Sequence, residues 1–107
     1  MYIIRTSVGS EPAADDILRA VMSQHKAACC YLYEVASHYW WAGELREEKE
    51  YILEFKVGDR DGLKDALISS IRDLHPYDLP VIEVIRAEVD EEVGDWANDP
   101  RGHTPQI

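Results

Sequence analysis

The chain has few cysteines and no long apolar run. Its two thiols, Cys29 and Cys30, are neighbours. On a strand, adjacent side chains point to opposite faces, so these two are poorly placed to bridge each other or to bind one metal ion. No apolar run approaches the roughly 18 residues of a membrane-spanning helix, and residues 2–8 are strand-like without the pattern of a secretion signal. We therefore expect a cytoplasmic protein in a reducing compartment, with no disulfide framework and no membrane partner.

The sequence is also poor in positive charge. It has 11 Lys and Arg against 21 Asp and Glu among 107 residues, which gives a formal net charge of −10 at pH 7. Such a chain repels the phosphates of nucleic acids and anionic membranes, so neither is expected as a partner. A loose attraction of cations is compatible with this charge, although an acidic excess usually serves only solubility.

Motifs for catalysis and for tight ligand binding are missing. No Gly-x-Ser-x-Gly nucleophile motif occurs, no base is evident near either cysteine, and no glycine-rich loop opens a helix to hold phosphate. The spacings His-x-His, Cys-x-x-Cys and His-Glu-x-x-His are absent too, as is that of an EF-hand. We therefore expect that this protein is not an enzyme. The alternative is a small acid/base pocket, for which the candidate residues are Tyr39, Lys56, His75 and Tyr77.

Two long strand-like stretches are the most informative part of the sequence. Residues 29–41 are rich in aromatic and β-branched side chains, residues 46–57 end in apolar/polar alternation, and the turn between them contains Gly43. This pattern predicts a β-hairpin. At about 3.3 Å per residue, the first arm would span roughly 40 Å, more than the roughly 33 Å diameter of a compact domain of this size. We expect the hairpin to protrude and to meet a partner, because strand edges and exposed aromatics favour association.

The other segments complete an alternating order of strands and helices. The predicted elements are a strand at 2–8, a helix capped by Ser10 with Pro12 in its first turn, the hairpin, a helix capped by Asp59, a strand at 81–87 and a short helix at 90–98. The order β-α-β-β-α-β is that of the ferredoxin-like sandwich. We predict an α+β fold over residues 1–107 as a single domain, with a protruding hairpin, a short C-terminal helix and a flexible tail at 99–107.

One face of such a sheet is left uncovered by the helices. We assign it the aromatic residues Tyr31, Tyr33, Tyr39, Trp41 and Tyr51. These are too many for a face in water, and they favour packing against other subunits.

Several short motifs occur along the chain in a characteristic order. These are Ala27-Ala28-Cys29 after an amphipathic helix, Ser37-x-Tyr39-x-Trp41-x-Gly43, Glu48, Lys56, and His75-Pro76-Tyr77-x-x-Pro80. Together they resemble the CutA family of divalent-cation tolerance proteins. The resemblance implies a ferredoxin-like protomer, a cytoplasmic homotrimer whose hairpins reach neighbouring subunits, and kinship with PII-type signalling proteins. It also implies a role in tolerance of divalent metals such as copper, by weak metal binding or as a signalling or scaffold protein, and no catalytic reaction.

The candidate cofactor is a divalent metal ion, copper or zinc. The candidate ligands are Cys29 and His75. A thiolate would suit copper(I), but Cys29 is expected to pack as a small apolar residue. His75 precedes two prolines at a helix end, where we expect it to cap carbonyls or to bond Tyr77.

The alternative function is a PII-like sensor that binds a small metabolite in a cleft between protomers. Candidates for lining that cleft are Tyr39, Trp41, Glu48, Lys56, His75 and Tyr77. Glu48 and Lys56 are expected to form an ion pair or to line the cleft, because buried charges must be paired. The residues predicted for the trimer interface are Tyr39, Trp40, Trp41, Tyr51 and Trp96.

Overall fold

A computed structural model describes residues 1–102 and contains four strands and three helices. In chain order the elements are β1 (Tyr2–Val8), α1 (Glu11–Ser23), β2 (Cys29–Trp41), β3 (Glu44–Val57), α2 (Leu63–Leu74), β4 (Ile82–Arg86) and α3 (Glu91–Asn98). The predicted order is confirmed. The predicted tail at 99–107 extends beyond the described residues. Within those residues, no helix is long and apolar enough to cross a membrane.

The strands form one antiparallel sheet in the order β2-β3-β1-β4, with β1 paired to both β3 and β4. Helices α1 and α2 pack on one face, as the ferredoxin-like prediction requires. The core between sheet and helices is fully buried and aliphatic, with one aromatic ring. Its larger members are Ile4, Val8, Ile17, Val21, Leu53, Phe55, Val57, Leu67 and Ile71.

The two long helices begin differently. The Oγ of Ser10 accepts the amide N–H of Ala13 at 3.3 Å, which confirms the predicted cap of α1. The prediction for Asp59 is wrong, because a turn in which the amide of Leu63 bonds the carbonyl of Arg60 separates Asp59 from α2. The helix instead starts after Gly62, which has a left-handed conformation, and no side chain among residues 1–102 caps it.

The hairpin is long and unbroken. Its pairs run from Cys29↔Lys56 at the base to Trp41↔Glu44 at the tip, and the pairs from Val35↔Glu50 outward lie beyond the end of β1. The two turn residues, Ala42 and Gly43, have φ of 52° and 77°, as a two-residue hairpin turn of type I′ requires. The protomer is accordingly elongated, with extents of 48 × 24 × 23 Å.

Register partners share a face, so the alternation divides the sheet into a helix-covered face and an opposite face, here called the open face. The open face carries every second residue from Cys29 to Trp41 and from Glu44 to Lys56, with Arg5 of β1 and Glu83 of β4. It therefore holds four of the five predicted aromatics. The exception is Tyr51, which alternates with Leu53 and packs against the core, so its assignment to this face was wrong.

Candidate functional site

The loop of residues 75–81, called the 75–81 loop, crosses the end of β1 near the root of the hairpin. Pro76 disfavours the helical conformation for the residue before it, and His75 accordingly has extended backbone angles of −71° and 129°. At the far end of the loop, the hydroxyl of Thr6 donates to the carbonyl of Val81 at 2.7 Å. The loop is thus attached to β1 at both ends.

His75 is held through both ring nitrogens. Its Nε2 lies 2.9 Å from the carbonyl oxygen of Ser7 and 3.1 Å from the hydroxyl of Thr6, while its Nδ1 accepts the amide N–H of Tyr77 at 3.1 Å. A carbonyl only accepts, so this network assigns the proton to Nε2 and leaves the ring neutral. Burial lowers the pKa of His75, which favours the same neutral form.

Tyr77 brings a phenol onto a buried carboxylate. Its hydroxyl donates to Glu50 at 3.2 Å, and Glu50 is only 8% exposed. Burial and the negative charge of Glu50 raise the pKa of Tyr77 to about 12, so the phenol keeps its proton. A side chain at Gly9 would lie 2.9 Å from the Tyr77 hydroxyl, so the glycine makes room for this contact.

A second tyrosine and a second carboxylate lie beside this pair. The hydroxyl of Tyr39 donates to Glu48 at 2.8 Å, and this bond raises the pKa of Tyr39. Glu48 and Glu50 lie two positions apart on the same face of β3, so the two pairs are neighbours. The charge of Glu48 also contributes to the raised pKa of Tyr77. We call Tyr39, Glu48, Glu50 and Tyr77 the hairpin-root cluster. None of the ion pairs formed within residues 1–102 supplies a cation to either carboxylate.

Lys56 is not part of this cluster. It lies at the base of the hairpin, where its Nζ donates to the hydroxyl of Tyr31 at 2.8 Å and sits 4.5 Å from the centre of that ring. This hydrogen bond raises the pKa of Lys56. Glu48 is eight positions away on the same strand, roughly 26 Å at the usual rise per residue. The predicted ion pair between Glu48 and Lys56 is therefore not formed within one chain.

The other predicted site residues divide in the same way. Tyr77 contacts His75 and lies near Tyr39, whereas Trp41 lies at the hairpin tip. The alternative acid/base pocket, which needed Lys56 beside these three, is not assembled in one chain.

The two predicted metal ligands are also far apart. Cys29 pairs with Lys56, which pairs with Ile3, whereas His75 contacts Ser7, four positions farther along β1 and roughly 13 Å away. Among the described residues no group of three or more His, Cys, Asp or Glu side chains is arranged to hold a metal ion. The only lone pair of the His75 ring is also occupied by the Tyr77 amide. One chain alone therefore does not join Cys29 and His75 into a metal centre.

Sequence reasoning missed Glu50 and Thr6. Glu50 lies two positions from Glu48, so strand alternation alone places it on the same face. Its burial depends on a loop that arrives from elsewhere in the chain, and no local pattern signals that.

The comparisons with known proteins agree with the geometry. The sequence model described as CutA1 divalent ion tolerance protein matches residues 2–100. The divalent-cation tolerance protein CutA of Pyrococcus horikoshii is 34% identical over 91 residues, covering 85% of each chain. The human protein CutA is 35% identical over 83 residues, which are 77% of this chain and 44% of that protein.

Solved structures show the same likeness. The PII-like protein CutA from Nostoc sp. PCC 7120 superposes with a TM-score of 0.84 at 33% identity, covering 92% of this chain and 94% of that one. The periplasmic divalent cation tolerance protein CutA from Archaeoglobus fulgidus shares the fold, with a TM-score of 0.81 at 24% identity. With its family match over residues 2–100 and these relatives, the chain belongs to the CutA1 family.

Proposed function

We propose that this CutA1 protein is a non-catalytic homotrimer that contributes to tolerance of divalent cations such as copper. The relatives' names support the metal connection. The observation that carries the assembly is the open face of the protruding hairpin, which presents aromatic rings to solvent. Tyr31 is 50% exposed and Trp41 52%, while Trp40 on the other side of the hairpin is 72% exposed.

Rings exposed to this degree favour association. Adjoining apolar side chains on one surface of a soluble protein usually mark an interaction site. The outer edge of β2 adds a row of backbone groups that have no partner strand within residues 1–102. The proposed interface residues are Tyr39, Trp40, Trp41 and Trp96, while Tyr51 serves the core of its own protomer.

Light scattering on the purified protein tests the assembly directly. We expect a mass of three times the 12.2 kDa protomer. A mass near one protomer at micromolar concentration refutes the proposal.

The metal role is that of a weak binder or of a signalling or scaffold protein. Since one protomer does not form a metal centre, any ion is held loosely or by ligands from different protomers. Calorimetric titration with Cu(II), Cu(I) and Zn(II) separates these modes. Micromolar binding that is lost in Cys29→Ala or His75→Ala and kept in the exposed control His38→Ala supports the role of a metal binder. If no metal produces binding heat, that role is refuted and the signalling or scaffold role is left.

The physiological link is tested by growth. A bacterial strain lacking its own CutA protein is challenged with copper, with and without this chain. We expect the chain to restore growth, and equal sensitivity in both strains contradicts a role in tolerance.

The non-catalytic character is supported by the state of the reactive groups. Both ring nitrogens of His75 are engaged, and burial raises the pKa of the Cys30 thiol to about 12. The same proposal places the protein in the cytoplasm, because two free thiols suit a reducing compartment. Cell fractionation tests the location.

The second candidate is a PII-like sensor of a small metabolite, favoured by the hairpin-root cluster beside the open face. Its two phenols and two carboxylates suit a ligand with a positive charge or hydroxyl groups better than a nucleotide. Titration with nucleotides, carboxylates and amines tests this. Binding heat that is measured with amines and is lost in the Glu48→Gln variant supports the sensor function.

A further inference from the structure

The hairpin-root cluster is electrostatically incomplete in one chain. Glu48 and Glu50 are two positions apart on one face of β3, about 7 Å along the strand. Their only hydrogen-bond donors within residues 1–102 are the phenols of Tyr39 and Tyr77. Glu50 is only 8% exposed, whereas Glu48 is exposed. A buried charge without a cation costs several kcal/mol, so the carboxylate of Glu50, with a neutral phenol as its donor and the charge of Glu48 beside it, calls for a positive group.

In the described part of the chain, the strands place three cations on the open face. Arg5 is held by Glu83 at 3.0 Å and by Glu54 at 3.6 Å, and Arg46 lies 3.8 Å from Glu44. Each of these two arginines already has a carboxylate partner, although Arg46 is also the cross-strand neighbour of Tyr39.

The third cation, Lys56, has no carboxylate within ion-pair distance in the described part of the chain. It contacts the ring and hydroxyl of Tyr31, which hold its ammonium group at the surface. Lys56 cannot reach Glu48 of its own chain, because the two residues are roughly 26 Å apart on one strand.

We propose that Lys56 from a second copy of this chain completes the hairpin-root cluster by pairing with Glu48 and Glu50. This inference rests on the proposed homotrimer, and it specifies the ion pair that orients one protomer relative to the next. The acidic root of one hairpin then lies against the base of the next protomer's open face. The two surfaces differ, so the contact is head-to-tail, which is compatible with the proposed trimeric ring and not with a twofold dimer.

Charge reversal tests the pairing by light scattering at micromolar concentration. Glu48→Lys and Lys56→Glu each place like charges at every interface, and we expect each to weaken trimer formation at least tenfold. The double variant Glu48→Lys/Lys56→Glu restores opposite charges at every interface and is expected to recover the trimer. Glu47→Lys and Lys49→Glu are the matched controls, because they make the same charge changes on the opposite face of β3, and they are expected to stay trimeric.

The outcomes separate this inference from the proposed function. A monomeric wild-type protein refutes the homotrimer itself. A trimeric wild type whose single variants remain trimeric overturns the pairing and leaves the trimer standing. Single variants that dissociate without recovery in the double variant also overturn it.

A second set of single and double variants is needed in case the charge-reversed variants misfold. Glu48→Gln and Lys56→Gln remove the charges without reversing them. We expect the double variant to weaken the trimer no more than either single variant does, as for two residues that contact each other. Additive losses contradict the pairing.

Discussion

Replacing His75 by alanine is expected to destabilise the protein substantially through the loss of two backbone contacts. The ring donates to the carbonyl of Ser7 at 2.9 Å and accepts the amide of Tyr77 at 3.1 Å. At about 1 kcal/mol net for each hydrogen bond, the loss is about 2 kcal/mol. For a domain of this length that corresponds to a fall in melting temperature of about 10 °C. Urea denaturation at one fixed protomer concentration measures it, because the stability of an oligomer depends on concentration.

The deficit caused by His75→Ala depends on pH in a defined direction. Burial lowers the pKa of His75 in the folded protein, whereas in the unfolded chain it stays near its ordinary value of about 6.5. As pH falls through about 6.5, the unfolded chain binds a proton that the folded site resists, so the contribution of His75 is lost. We expect the difference between wild type and variant to be largest above pH 7 and to shrink toward pH 5.

The control for this prediction is His38→Ala. His38 is exposed on the hairpin, 3.9 Å from Glu47, and its replacement is expected to change stability by less than about 0.5 kcal/mol. A deficit of His75→Ala that stays constant or grows as pH falls would refute the assignment of a neutral ring donating to Ser7.

Three further outcomes are expected. Ser10→Ala removes the acceptor for the Ala13 amide and costs about 1 kcal/mol in urea denaturation; an unchanged midpoint contradicts the cap. Gly43→Ala places a side chain at a φ of 77° and costs about 1 kcal/mol in the same assay, so a more stable variant speaks against the left-handed turn. Because burial raises the pKa of Cys30 to about 12, iodoacetamide at pH 8 should alkylate it at least tenfold more slowly in the folded protein than in urea, as followed by mass spectrometry; equal rates refute its protection.

The sequence predicted the hairpin well because its determinants are local. Alternation over residues 46–57 and a glycine at the turn are properties of neighbouring positions, and both appear in the structure as expected. Alternation also fixes which residues share a face. The misplacement of Tyr51 came from grouping aromatics by type, although the period of two aligns that residue with Leu53 and Phe55.

The candidate site was harder to predict because it depends on distant segments. Glu50 is buried by Tyr77, which lies 27 positions later in the chain. His75 was expected to bond Tyr77 or cap the helix, and it does bond the Tyr77 amide, yet its partner Ser7 comes from the first strand. No spacing rule links such residues. The cap at Asp59 failed for a different reason, because the chain makes a turn before α2 begins.

The unbroken alternation of β2 has a consequence for how this strand tolerates changes in length. Inserting one residue between Tyr33 and Tyr39 would turn Tyr39 and Trp41 to the other side of the hairpin, whereas inserting two would return them. The hydrophobic core lies nearer the base of the hairpin, so neither insertion would alter its packing. Length variation in this part of the strand is therefore expected to occur in even steps, since an odd step alters the surface offered to a partner while the protomer still folds.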